Sequence, residues 1–219
     1  MRRHLTGTNI ALIAVFAAFI AASTAVPEVM LAFGVPLSLQ TFAVVLAGLV
    51  LGPWRGFSAV LLYIVVGLAG APIFANFRSG PSIFAGPTGG YLVGMLFAAV
   101  AVGAIAVALR RSKRLGFGQL ILAGLVSLPV IYVVGVPWLA ARTGLPVMGS
   151  PAGCDAWLDF SEGCANALTV GVVPFLPGDI IKVVVAAGAA AVIHRAFPQL
   201  MPARSLVVTP VERNSAVTA

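Results

Sequence analysis

Asp179 and Lys182 stand three residues apart in the segment Pro174-Phe175-Leu176-Pro177-Gly178-Asp179-Ile180-Ile181-Lys182. Two prolines and a glycine interrupt an apolar run there, so a helix is expected to start near Asp179. On that helix both side chains share one face. A carboxylate accepts hydrogen bonds from a ligand's N–H groups, and an ammonium pairs with a ligand's carboxylate. Backbone N–H groups at the helix start would point the same way. One reading makes Asp179 a cap with Lys182 as its counter-ion. The other makes the pair a binding site, because an ionisable group at membrane depth is costly and marks function by default. The binding role is carried forward.

Three further stretches hold polar residues of interest. The first is Phe74-Ala75-Asn76-Phe77-Arg78-Ser79-Gly80, followed closely by Gly86-Pro87-Thr88-Gly89-Gly90-Tyr91. Its glycines let a backbone approach a ligand closely. The Arg78 fork suits a carboxylate, and Tyr91 can stack or donate. Spacing leaves the blander reading equally open: a solvated loop charge and a tyrosine of the aromatic belt. In the second stretch, Val35-Pro36-Leu37-Ser38-Leu39-Gln40-Thr41-Phe42, Gln40 lies at the edge of an apolar run and reads first as a capping or interfacial residue. The third is the series Ala14, Ala18 and Ala22, small residues every fourth position, which permits close helix–helix approach. Its partner is another span of this chain or another protein.

The surroundings of these residues define the class of protein. The chain has 219 residues, of which 60% are apolar and 9% charged, with a mean hydropathy of +1.08. Soluble domains carry about a quarter charged residues, and disordered chains lack this much apolar surface. An all-α integral membrane protein remains. Apolar runs cover about 9–26, 41–52, 57–70, 89–109, 120–141 and 168–193, giving six transmembrane helices. The second and third runs are short, which suits tilted or re-entrant segments. Residues 1–196 are read as one six-helix transmembrane domain and 197–219 as a cytoplasmic tail expected to be disordered. Arg2-Arg3-His4 and the small residues at 22–25 also fit a signal peptide. An uncleaved first span is preferred, because its loss would leave five spans.

Charge sets the orientation. With the N-terminus inside, the inner segments hold Arg2, Arg3, Arg55, Arg110, Arg111, Lys113, Arg114, Arg195, Arg204 and Arg213. The outer loops hold Arg78 and Arg142 alone. This asymmetry places both termini in the cytoplasm of a multi-pass cell-membrane protein. It also accounts for the formal net charge of +7 without a nucleic-acid partner, since the basic residues sit in the joints between apolar runs.

Several chemistries are missing from the sequence. There is no H-E-x-x-H, no G-x-S-x-G and no G-x-x-x-x-G-K-[ST]. Of six Asp and Glu residues, Asp179 alone lies in a span. A relay of buried carboxylates is thus poorly supported. Binding or transport is favoured over catalysis, and no metal or cofactor is expected. A membrane enzyme would need a clustered acid, base or metal set. A purely structural protein would leave Asp179 and Lys182 without a purpose.

Five segments in order carry a family resemblance: Val35-Pro36-x-Ser38-Leu39-Gln40-Thr41-Phe42, Gly52-Pro53-x-x-Gly56, Gly86-Pro87-Thr88-Gly89-Gly90-Tyr91, Trp138-Leu139, and Pro174-Phe175-Leu176-Pro177-Gly178-Asp179-x-x-Lys182. Over about residues 8–196 the chain resembles BioY, the biotin-capture subunit (S component) of energy-coupling factor (ECF) transporters. The resemblance implies a six-helix S-component fold that takes biotin from outside, with residues 27–39 as a lid. It implies partners as well: a transmembrane coupling subunit, met by Ala14, Ala18 and Ala22, and two ATPase subunits, dispensable in some members. The implied mechanism is reorientation of the loaded subunit, with ATP hydrolysed elsewhere. An S component for another vitamin, or a membrane protein of non-transport function, is the alternative.

Biotin has an apolar thioether ring and chain, a ureido group and a carboxylate. Its site needs apolar walls, an acceptor and a cation. Asp179 can accept from the ureido N–H groups, and Lys182 or Arg78 can meet the carboxylate. Tyr91, Asn76 and Gln40 complete the candidate set. The chain departs from the family between the fifth and sixth spans, where residues 144–164 are longer than expected. They hold its two cysteines, Cys154 and Cys164. An outer location permits a disulfide, and one is predicted between them. Thiol labelling of the unreduced protein should therefore modify neither cysteine until a reductant is added. Two reactive thiols before reduction would refute the bridge.

Overall fold

The chain is built from helices because apolar backbone in hydrocarbon must satisfy its own N–H and C=O groups. The computed structural model describes residues 7–25, 29–30, 36–110, 115–149 and 164–200. Helix α1 (Gly7–Ser23) is followed by two short strands, β1 (Val29–Met30) and β2 (Pro36–Leu37), paired antiparallel. Then come α2 (Gln40–Leu51), α3 (Pro53–Leu68), two 3-10 turns (Ala75–Phe77 and Pro81–Ala85) and α4 (Gly89–Leu109). Helices α5 (Phe117–Leu125) and α6 (Ser127–Thr143), then α7 (Ala167–Gly171) and α8 (Leu176–Ala196), complete the bundle. Among the described residues, three stretches are long and apolar enough to cross a membrane: Gly89–Leu109, Phe117–Thr143 and Ala167–Ala196. Shorter apolar helices are α1, α2 and α3.

Helix α2 explains how so short a run can be stable. Its 12 residues rise about 18 Å, well under the hydrocarbon thickness of about 30 Å. Eleven of the 12 are buried. The helix is wrapped by α1, α3, α4, α5 and α8. Because protein rather than lipid covers its ends, a short helix leaves no backbone group facing hydrocarbon. Leu46, Leu49, Val50 and Leu51 meet Val102, Leu120, Val183 and Ala187 in one half of the core. In the other half Val44 packs with Ile20, Val60, Met95 and Ile131. The outer surface is apolar too, as a lipid-facing surface must be. Val133 is 72% exposed, and Leu61, Val65, Phe97, Leu122, Ile181 and Val192 are also uncovered.

Two departures from the expected runs matter for the site. The fifth run is two helices, α5 and α6, meeting at Val126 and Ser127. The sixth resumes as α8 at Leu176, earlier than expected, because Pro177 is accommodated in the first turn, where no N–H is required. Asp179 thus lies inside the first turn instead of preceding it. The two ends of the bundle differ in character. At one, Arg55 donates to the Leu200 carbonyl at 2.6 Å and to Asn9 Oδ1 at 3.4 Å. At the other, Thr24 and Tyr63 both donate to the Ile73 carbonyl, at 2.9 and 3.2 Å.

The α2–α3 corner relies on a close approach. Gly52 turns the chain with φ +78°, and Pro53 opens α3. A Cβ on Gly103 of α4 would run into the backbone of Gly52 and Pro53. Gly103→Ala should therefore push α4 off this corner and cost about 1–3 kcal/mol. The check is a lowered apparent Tm in detergent; an unchanged Tm would show that the corner yields freely.

Candidate functional site

The site forms where α8 begins. Asn166 caps α7: its side chain accepts from the Thr169 N–H at 2.9 Å, and the Thr169 hydroxyl is near the Asn166 N–H at 3.1 Å. After α7 the chain turns at residues 172–175 and re-enters a helix at Leu176. Phe175, the residue before α8, makes no side-chain cap, and Asp179 does not cap either. Asp179 is instead 6% exposed and held at both oxygens. Oδ1 meets Lys182 Nζ at 2.9 Å and Oδ2 accepts from the Tyr132 hydroxyl at 2.7 Å. Asp179 is the only Asp or Glu among the described residues.

Asp179, Lys182 and Tyr132 line a cavity with about 620 Å³ of space not filled by atoms, its open mouth included. Its apolar wall comes from Phe74, Ile83, Leu92, Met95, Ile131 and Phe175. Its other polar lining is Ser38, Gln40, Thr41, Thr88 and Tyr91. One ion pair, a few hydroxyls and an amide set in apolar walls suit an uncharged ring with N–H donors attached to an apolar tail.

The wall residues are fixed by tight helix packing. Helices α4 and α6 run along each other, and Gly135 of α6 lies directly against the Tyr91 ring. The Tyr91 hydroxyl donates to the Gly171 carbonyl at 3.0 Å, tying α4 to α7. Tyr91 also meets Tyr132 edge to face, with centroids 6.5 Å apart. Gln40 donates from Nε2 to the Tyr63 hydroxyl at 2.5 Å, and its Oε1 accepts from Ser38 at 3.1 Å. Near the mouth, Trp138 donates to the Gly86 carbonyl at 3.1 Å, and Arg142 lies 5.1 Å over the Trp138 ring.

Of the residues singled out from sequence, Asp179, Lys182, Tyr91 and Gln40 come together on this one cavity. Asn76 and Arg78 do not line it. They belong to a tight turn where Phe74 donates its N–H to the Arg78 carbonyl at 3.0 Å, and Arg78 is exposed. Asn76 and Phe77 both take left-handed backbone conformations there, at φ +56° and +54°, which costs energy in a residue as bulky as Phe. Ala14, Ala18 and Ala22 are exposed along α1, while Ala17 and Ile20 point inward. Among the described residues, the small-residue face therefore takes no part in packing within the chain. Cys154 lies outside the described residues.

Sequence reasoning passed over Tyr132 and Tyr63. Tyr63 is buried and Tyr132 partly buried inside apolar runs, and hydroxyls so placed need partners. The chain has only three tyrosines. Pairing them with polar side chains of the apolar runs, Asp179 as acceptor for Tyr132 and Gln40 as donor to Tyr63, is the signal that would have found them.

This fold and site define a multi-pass membrane protein with a ligand cavity at one end. The structure is similar to the crystal structure of the S-component for biotin from an ECF-type ABC transporter, with TM-score 0.73 and 24% identity, covering 89% of this chain and 95% of that one. At that identity the likeness establishes the fold. The BioY family's sequence profile matches residues 1–199. The Biotin transporter BioY of Rhodobacter capsulatus is 40% identical over 199 residues, covering 90% of this chain and 98% of the relative. The protein of the same name from Rhizobium etli is 35% identical over 202 residues, with the same coverage. This chain belongs to the BioY family.

Tyr91 is the hub that ties α4, α6 and α7 together. Tyr91→Phe keeps the ring against Gly135 but leaves the Gly171 carbonyl without its donor. It should cost about 1 kcal/mol, read as a lowered Tm of the ligand-free protein. An unchanged Tm would show that the hydroxyl holds nothing.

Proposed function

We propose that this chain is a membrane-embedded biotin-binding subunit that captures the vitamin from the outer side for uptake. The observation that carries this reading is a buried carboxylate, Asp179, held by Tyr132 and Lys182 in an apolar cavity. Family membership and the names of the relatives support it. The bicyclic ring and aliphatic chain suit the apolar wall. The ureido N–H groups suit Asp179, and the ligand carboxylate suits Lys182 or, with movement of its turn, Arg78.

The finer reading has six spans with both termini in the cytoplasm, supported by the charge asymmetry of the sequence. The basic end with Arg55, Arg110 and Arg195 then faces inward, and the cavity opens outward. Residues 27–39 close over it as a lid, and a Cys154–Cys164 bridge braces the loop beside its mouth. Residues 1–196 form the membrane domain and 197–219 the tail. The exposed face of Ala14, Ala18 and Ala22 meets a coupling subunit. Two ATPase subunits supply the energy, because this sequence has no phosphate-binding loop of its own. The chain is a transporter subunit and not an enzyme.

Calorimetry on the purified protein in detergent tests the ligand. Biotin should bind one to one, while thiamine and riboflavin should not. Asp179→Asn should weaken biotin binding at least tenfold, the scale of one hydrogen bond to a charged group. Failure of well-folded protein to bind biotin, alone and in membranes with its partner subunits, would sink the assignment. Binding of thiamine or riboflavin instead would point to another vitamin.

A further inference from the structure

We propose that Tyr132 is the positioning residue of this site: its hydroxyl fixes Asp179 as an acceptor for one N–H group of a cyclic urea, and so sets selectivity for a ring that carries that donor. This rests on the biotin reading above. Lys182 alone would hold the carboxylate loosely. It sits on the same helix, three residues on, and its flexible stem carries three rotatable donors. Tyr132 reaches Asp179 from a different helix, α6, on a rigid ring.

With Oδ1 on Lys182 and Oδ2 on Tyr132, the carboxylate is anchored from two sides and its plane is set. A carboxylate has about four lone-pair sites. Two are used by the protein, which leaves each oxygen able to accept from a ligand. The two N–H bonds of a cyclic urea point away from each other across the ring, so the fixed carboxylate accepts from one of them; a ring without an N–H has nothing to offer it.

Tyr132 is itself held in place. Its ring meets Tyr91 edge to face at 83°, and Tyr91 is pinned to Gly171. The supporting contacts thus run from α7 through α4 and α6 to the carboxylate on α8. All of Tyr91, Tyr132, Asp179 and Lys182 line the same cavity. An acceptor fixed before the ligand arrives needs less ordering on binding.

The experiment is calorimetry on the full chain in detergent, using wild type and Tyr132→Phe, with biotin and with biotin methylated on both ureido nitrogens. Thermal melting of each ligand-free protein checks folding. Tyr132→Phe should lose about tenfold in biotin affinity, on the scale of one hydrogen bond to a charged group. It should lose less than about threefold for the methylated analogue, so selectivity between the two falls. In an Asp179→Asn background, Tyr132→Phe should add little, because its effect passes through that carboxylate. Equal losses for both ligands would overturn the positioning role and mark Tyr132 as a packing residue. Unchanged biotin affinity in Tyr132→Phe would overturn it too. Either result would leave the biotin reading intact, whereas failure of folded wild type to bind biotin would remove both.

Discussion

A carboxylate buried among helices that face lipid has to be satisfied at both oxygens. The arrangement around Asp179 is dictated by that requirement. An unpaired buried charge is far more costly than any single packing contact. Lys182, one helical turn on, neutralises it, and Tyr132 completes its hydrogen bonding. The second contact can form only if α6 lies at a fixed rotation against α8. That rotation is set in turn by α4, whose Tyr91 packs against Gly135 and bonds to Gly171. The polar site and the tight small-residue packing around it are therefore one constraint, seen from inside and from outside.

The same logic accounts for the irregular elements. Helix α2 is too short to span hydrocarbon and survives because other helices cover it. The break between α7 and α8 interrupts a long apolar segment at the depth of the cavity, where non-helical backbone lines protein instead of lipid. Backbone bonds cross the break, where the Phe175 and Leu176 N–H groups both donate to the Val172 carbonyl at 3.0 Å. Regular structure is given up where a ligand cavity repays it.

Much of this could be read from residue order, and the limits have physical causes. Each apolar run holds helix among the described residues, because backbone in hydrocarbon has to pair its own groups. Pro174 lies at the break, whereas Pro177 and Gly178 fall inside α8 and put the expected helix start three residues late; Asp179 and Lys182 stood out because charges are so rare in this chain. What could not be read was which hydroxyl faces Asp179. Tyr132 is 47 residues away, and its orientation depends on how α6 rotates, which no local pattern encodes. Arg78 and Asn76 illustrate the opposite limit. Their chemistry suits an anion, but the turn they occupy is shaped by its own backbone bonds and keeps them off the cavity wall. The meeting of α5 and α6 at Ser127 was likewise invisible, since hydropathy continues across it.

The Asp179–Lys182 pair also has an electrical consequence. Its charges cancel, so the empty cavity carries no net charge within the membrane field. If the loaded site reorients across the membrane, as proposed, a bound monovalent anion is the whole of the charge displaced. Across an inside-negative membrane that displacement runs uphill by ~2.3 kcal/mol per 100 mV for a full crossing. The return of the empty site is free of this term. Membrane voltage would then slow the loaded passage while leaving the reset untouched.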